Sequence, residues 1–125
     1  MRSHNLILNT DSYKASHFLQ YPKDTTYISA YLESRGGAFK QLLFLGIQPY
    51  LKKYLSKPIT KENILEAEDI LTKHGLPFNK TGWEYILKEH NGYLPISIEA
   101  VPEGTVLPTH NVLVQIVNTD PKCFW

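Results

Sequence analysis

One cysteine and one methionine occur in 125 residues, and the charges nearly cancel, with 13 Lys and Arg against 12 Asp and Glu. Each scarcity excludes something. A lone Cys123 forms no internal disulfide, which rules out the disulfide-stapled scaffolds of small secreted domains. A net charge of +1 leaves no surplus to neutralise phosphate backbones or anionic lipid, arguing against non-specific nucleic-acid or membrane-surface binding. No apolar run approaches the roughly 18 residues of a membrane span, and the patch Leu6 to Leu8 ahead of Asp11 is too short for a signal-peptide core. The expectation is a cytoplasmic protein with neither membrane nor nucleic acid as partner. Standard catalytic signatures are missing as well: P-loop, GxGxxG, HExxH, paired CxxC and GxSxG.

What is present fits one soluble domain with a single core, since 42% of the residues are hydrophobic and 20% charged. Thr10 or Asp11 offers a cap for a short helix from about Ser12, which ends near Tyr21 because Pro22 disfavours helical geometry in the residue before it. Thr26 to Leu32 alternates at strand period, with aromatic Tyr27 and Tyr31 on the second side predicting that this face is covered too. Glu33 to Gly37 is a loop broken by paired glycines. After the apolar run Leu42 to Leu45, residues Ile47, Tyr50, Leu51, Tyr54 and Leu55 recur at helical spacing, with Pro49 tolerated in the first turn.

Two further helices are predicted, one capped by Thr60 with Ile64, Ala67 and Leu71 inward and Gly75 as its stop, the other capped by Asn79 with Trp83, Ile86, Leu87 and His90 inward. Leu94 to Val101 and Val112 to Val117 are β-branched and read as buried strands, separated by the turns Pro102 to Gly104 and Pro108 to Asn111. The mixture is α+β, with no repeat, linker or internal boundary across 1–125. Asn118-Thr119-Asp120-Pro121 has the cap-then-proline grammar of a helix start, only four residues before Trp125. The expectation is that the chain is the front piece of a longer protein.

The five histidines, at 4, 17, 74, 90 and 110, include no pair at metal-ligand spacing on one helix face, so no metal ligand is assigned. His74 and His90 fall in last helical turns, where a cation complements the dipole. Cys123 has no base near it in sequence and reads as a small buried hydrophobe. Two constellations remain. Asp11 and Tyr13 place a carboxylate and a flat ring at a helix entrance, which suits a planar amide-bearing ring; equally, Asp11 caps the helix and Tyr13 packs on the core. Arg35 beside Gly36 and Gly37 presents a guanidinium and accessible N–H groups to a phosphate, or else lies in a solvated loop.

The segments NTDSYKASH (9–17), Tyr21-Pro22, ESRGG (33–37), FLGIQ (44–48), Gly82-Trp83, LPISIEAVPEG (94–104), Pro108, Asn111 to Leu113 and NTDP (118–121) resemble, in order, the N-terminal region of the nicotinamide phosphoribosyltransferase family. The resemblance implies the small N-terminal α/β domain of a type II phosphoribosyltransferase, with mixed helices and an antiparallel-rich sheet and without the downstream barrel. It also implies transfer of phosphoribosyl from phosphoribosyl pyrophosphate to nicotinamide, yielding nicotinamide mononucleotide and pyrophosphate in NAD salvage. By position, Asp11 resembles the acceptor of the nicotinamide amide N–H, Tyr13 the ring that stacks on the pyridine in a neighbouring subunit's site, and Arg35 the arginine that reaches the phosphates. A homodimer is implied, and Mg²⁺ and ATP for the whole enzyme, with none bound by this piece. The catalytic histidine of the family lies beyond Trp125, so no catalytic residue is assigned here and the chain alone is expected to be inactive. The segment after Gly37 is shorter than in vertebrate members. A non-catalytic module of the same fold and a nicotinate-specific enzyme stand as alternatives.

Overall fold

A computed structural model describes residues 5–125. Two 3-10 helices, Leu6–Leu8 and Ser12–Leu19, lead into β1 (Ser29–Glu33), β2 (Gln41–Leu43), α1 (Ile47–Tyr54), α2 (Lys61–Lys73), α3 (Lys80–Glu89), β3 (Ile96–Ala100), β4 (Val106–Pro108) and β5 (Val112–Asn118), and a last 3-10 turn covers Pro121–Cys123. The strands form one three-stranded sheet in the order β1-β5-β3 and one two-stranded sheet, β2-β4. Every pairing is antiparallel, in agreement with the expected α+β class and antiparallel-rich sheet.

The helices follow their caps. Thr60 and Asn63 form a reciprocal capping box at the start of α2, and Asn79 accepts the Gly82 N–H at the start of α3. At the start of α1 the residue in capping position is Gly46, held at φ 106° with no side chain to offer. Glu103 supplies the cap from a distant turn, its Oε1 accepting the N–H groups of Gly46 at 2.8 Å and Gln48 at 3.0 Å. Ile64, Ala67 and Leu71 are buried along α2 and Ile86 along α3, as their spacing predicts.

The core has two parts. Ile7, Ile59, Ile64, Ala67 and Ile86 pack together under Trp83, Leu87, Cys123 and Trp125; Phe44, Leu113 and Val114 form a smaller cluster with Leu42, Ile98 and Ile116. Asn5 ties the first 3-10 helix to α2, donating to the Asn63 carbonyl and the Glu66 carboxylate.

The strands depart from expectation in four ways. β1 begins at Ser29 rather than Thr26, because the buried Asn118 side chain takes over the preceding residues: it accepts the Ile28 N–H at 2.7 Å and donates to the Thr26 carbonyl at 2.9 Å. Neither face of β1 is covered; all five residues are exposed, and Tyr27 and Tyr31 stay 57% and 62% accessible. Strand β1 lies at a sheet edge with β5 as its only neighbour among the described residues, so aromatic alternation here marks an open face. β3 is not buried on both faces either, its residues alternating between half-buried and exposed. Strand β4, not expected at all, holds Pro108 in register with Gln41, as a two-stranded edge permits.

Candidate functional site

Asp11 precedes the second 3-10 helix in extended backbone, yet its side chain makes no cap hydrogen bond. Its Oδ2 instead lies 3.3 Å from Lys14 Nζ, and both side chains are largely in solvent. Tyr13 is 58% exposed, its ring meeting His17 edge-on at 5.6 Å between centroids, with Lys14 Nζ 6.0 Å from the ring centre. Capping and core packing, the ordinary roles for this pair, are therefore both absent. What remains is a carboxylate and an aromatic face presented side by side on one turn of helix.

No enclosed place for a ring is built around them within the described residues. The recess beside this helix, about 170 Å³, is walled by Thr10, Lys14, Phe18, Trp83 and Trp125, and neither Asp11 nor Tyr13 lines it.

Arg35 lies on a separate loop and is exposed. That loop is strung across the 108–111 turn: the N–H groups of His110 and Thr109 donate to the carbonyls of Ser34 and Lys40, each at 3.1 Å. Asn111 braces the turn by donating to the Pro108 and Thr109 carbonyls. His110 stands at φ 63° and sets its imidazole over Gly36, so closely that a Cβ there would fall 2.9 Å from Nε2. The loop's shape thus requires glycine at 36 for two reasons, the close ring and a φ of 85°. Among the described residues no hydrogen bond or ion pair joins Arg35 to Asp11 or Tyr13. The part His110 plays in shaping the Arg35 loop was hidden in the sequence, where 75 residues of unrelated pattern separate them; the turn around His110 was legible, its neighbour was not.

A second cluster was also invisible in sequence. Asp120 caps the last 3-10 turn, accepting the Lys122 N–H at 2.8 Å, while its Oδ2 accepts the Tyr85 hydroxyl at 2.9 Å and lies 2.7 Å from His90 Nε2. These bonds, the Lys122 N–H first and then His90, hold the Asp120 carboxyl below its ordinary range. The same carboxylate, by accepting its proton in a hydrogen bond, pushes the Tyr85 hydroxyl up. Cys123 joins the group: ligand atoms of His90, Asp120 and Cys123 all lie within 4.8 Å of one another. Burial, then the Asp120 charge, pushes its thiol up to about 11, so Cys123, half-buried, carries its proton at neutral pH unless a cation displaces it. His90, expected to point inward at a helix end, sits at the C-cap of α3 and turns to Asp120.

Comparison with known proteins decides the affiliation. Residues 5–98 match the family described as Nicotinamide phosphoribosyltransferase, N-terminal domain. The chain belongs to that family. A nicotinamide phosphoribosyltransferase of Xanthomonas campestris pv. campestris (strain 8004) is 54% identical over 97% of this chain and 26% of its own length. One of Acinetobacter baylyi is 27% identical over 92% of this chain and 26% of its own. Human Nicotinic Acid Phosphoribosyltransferase superposes with a TM-score of 0.60 over 90% of this chain and 22% of that one, at 16% identity, a likeness of fold alone. This member of the nicotinamide phosphoribosyltransferase family thus spans about a quarter of the length of its curated relatives. No helix among its described residues is long and apolar enough to cross a membrane.

The Mg²⁺ implied by the resemblance does not fit the one three-donor cluster among the described residues. Of the described residues only His90, Asp120 and Cys123 gather as a ligand group, and an imidazole and a thiol do not suit a hard cation that prefers oxygen.

Proposed function

We propose that this chain is the ring-orienting part of a phosphoribosyltransferase of NAD salvage, which joins the phosphoribosyl group of phosphoribosyl pyrophosphate to nicotinamide. The observation that carries the reading is the exposed Asp11–Tyr13 pair, released from capping and packing, in a chain whose relatives are named for nicotinamide. Asp11 Oδ2 meets Lys14, which leaves Oδ1 to accept a carboxamide N–H, and Tyr13 offers a face on which a pyridine ring stacks. A nicotinate carboxylate at the same place would face Asp11 with like charge, so the pair favours the amide.

In the reaction the pyridine nitrogen forms its bond to the anomeric carbon as the carbon–oxygen bond to pyrophosphate breaks, the electron pair leaving with pyrophosphate. Positive charge grows on the ribose and then on the ring. Holding the ring against an aromatic face beside a carboxylate contributes orientation, which is the part assigned to this chain. Arg35, on its clamped loop, contributes a guanidinium to the phosphates. No step is assigned to Mg²⁺ or ATP through these residues. Since Asp11 and Tyr13 face solvent, the reading places them at the edge of another subunit's site, in a cytoplasmic homodimer whose downstream region supplies the remaining contacts and the catalytic group.

The test is a chimera in which this chain replaces the matching quarter of the Xanthomonas relative. It is expected to form nicotinamide mononucleotide. Tyr13→Ala should raise KM for nicotinamide about tenfold or more, the loss of roughly 1.4 kcal/mol of stacking, and Asp11→Asn should narrow the preference for nicotinamide over nicotinate. Unchanged KM in both variants, or equal turnover of the two substrates by the parent chimera, would sink the assignment.

A further inference from the structure

Outside the proposed ring site, the strongest gathering of chemically competent side chains is at the C-terminal turn. Three different donor types, an imidazole nitrogen, a carboxylate oxygen and a sulfur, approach within 4.8 Å of one another there. They come from two segments, the C-cap of α3 and the last 3-10 turn. All three residues are half-buried, and the His90 and Asp120 side chains keep only 28% and 15% of their accessibility.

We propose that His90 Nε2, a carboxylate oxygen of Asp120 and Cys123 Sγ bind one borderline divalent cation of the Zn²⁺ type, stapling the last turn of the chain to the end of α3. In a tetrahedral zinc site the ligand atoms stand roughly 3.3–3.6 Å apart, given bonds of about 2.0 Å to nitrogen and oxygen and about 2.3 Å to sulfur. His90 and Asp120, 2.7 Å apart, need only open slightly as the cation takes the place of the proton between them. The sulfur needs to close by about 1 Å, within the reach of a side-chain rotation. A hydrogen-bonded cluster without metal accounts for Asp120, whose carboxylate is met by Tyr85, His90 and the Lys122 N–H. It does not account for Cys123 Sγ, which makes no hydrogen bond among the described residues.

The supports that metal ligands need are in place. The Tyr85 hydroxyl and the Lys122 N–H orient the carboxylate, and Asn118, donating to the Asp120 carbonyl at 2.8 Å, fixes the backbone of the turn. Three protein ligands leave a fourth position for water. One carboxylate among softer donors excludes Ca²⁺ and Mg²⁺ as the preferred ions.

Cobalt(II) titration of the full chain tests the site directly. With a single cysteine in the sequence, a thiolate-to-cobalt charge-transfer band reports on Cys123 and no other thiol. The expected result is a band that saturates at one Co²⁺ per chain, is displaced by Zn²⁺ and disappears in Cys123→Ser. His90→Gln keeps an N–H for Asp120 but offers no ligand nitrogen, and should weaken Co²⁺ binding more than tenfold. Tyr85→Phe, which removes only an orienting bond, should weaken it about tenfold, and His74→Gln should leave it unchanged. Absence of the band in a chain whose helical circular dichroism is intact overturns the site. So does saturation at one metal per two chains, or an affinity in His90→Gln equal to that of the parent.

Discussion

The two parts of the core behave differently. On the helical side α2, α3 and the first 3-10 helix enclose Ile64, Ala67 and Ile86, which keep 2%, 0% and 3% of their accessibility. On the sheet side the buried hydrophobic residues among those described are Phe44, Leu113 and Val114 alone, while Tyr31, Leu32, Phe39, Leu43, Leu45 and Val112 stay more than half exposed. An open recess of about 410 Å³ lies there among Leu32, Phe44, Leu45, Ile47 and Val114. The helical side supplies its own burial, whereas the sheet side holds apolar surface that nothing in these residues covers. Large apolar areas left in water are characteristic of surfaces made for contact, and the chain corresponds to about a quarter of its relatives' length.

The contrast is sharpest when residues of similar size are cut on each side. Ile64→Ala should cost about 2–5 kcal/mol, the usual range for a fully enclosed aliphatic side chain, read as a lowered midpoint in urea. Leu32→Ala should fall within about 0.5 kcal/mol of the parent. Equal losses would mean that the sheet side is enclosed after all. Gly92→Ala probes the seam of the helical side. Gly92 sits at φ 80°, a Cβ added there would run into the Ile59 carbonyl oxygen and the Pro58 ring, and its carbonyl accepts the Ile59 N–H at 2.9 Å, so an added methyl should cost about 1–3 kcal/mol. Gly104→Ala has open space around it and bears only the strain of its φ of 87°, so its loss should be the smaller of the two.

The smallest effect concerns Glu62 in the first turn of α2. Its carboxyl is held below the ordinary 4.5 by its own backbone N–H and then by the Thr60 hydroxyl. A depressed carboxyl stabilises the fold above the unfolded value, and that contribution fades as pH falls through the folded one. Glu62→Gln should therefore lower the midpoint slightly at pH 7 and converge on the parent as the pH falls through the folded carboxyl's value. A difference that persisted in acid would show that charge is not the cause.

Helices were legible in the sequence because their signals are local. Thr60 and Asn79 sit where their caps are needed, and the apolar spacing of Ile64, Ala67 and Leu71 decides the buried face without knowledge of the partner. Strands depend on what lies opposite, and that information is not in the strand. Tyr27 and Tyr31 alternate as they would in a covered strand, yet their side of β1 has no cover. Val106 and Leu107, between two turns, show no strand pattern of their own until Leu43 and Leu42 pair with them. In the candidate site, Asp11, Tyr13 and Arg35 could be named from residue type and spacing. The brace of His110 on Gly36, the Glu103 cap on α1 and the meeting of His90 with Asp120 each join segments 30 or more residues apart, and no local pattern announces them.

Trp125 lies edge-on to Trp83, with 5.1 Å between ring centres, and its indole N–H donates to the Lys122 carbonyl at 3.0 Å. Its ring also occupies the space where a side chain at Gly82 would begin. These are the chain's two tryptophans, so its whole indole emission issues from a single joint between α3 and the last turn. The colour and polarisation of that light therefore report whether the 121–125 turn is seated on α3, an optical gauge of that joint without any added label.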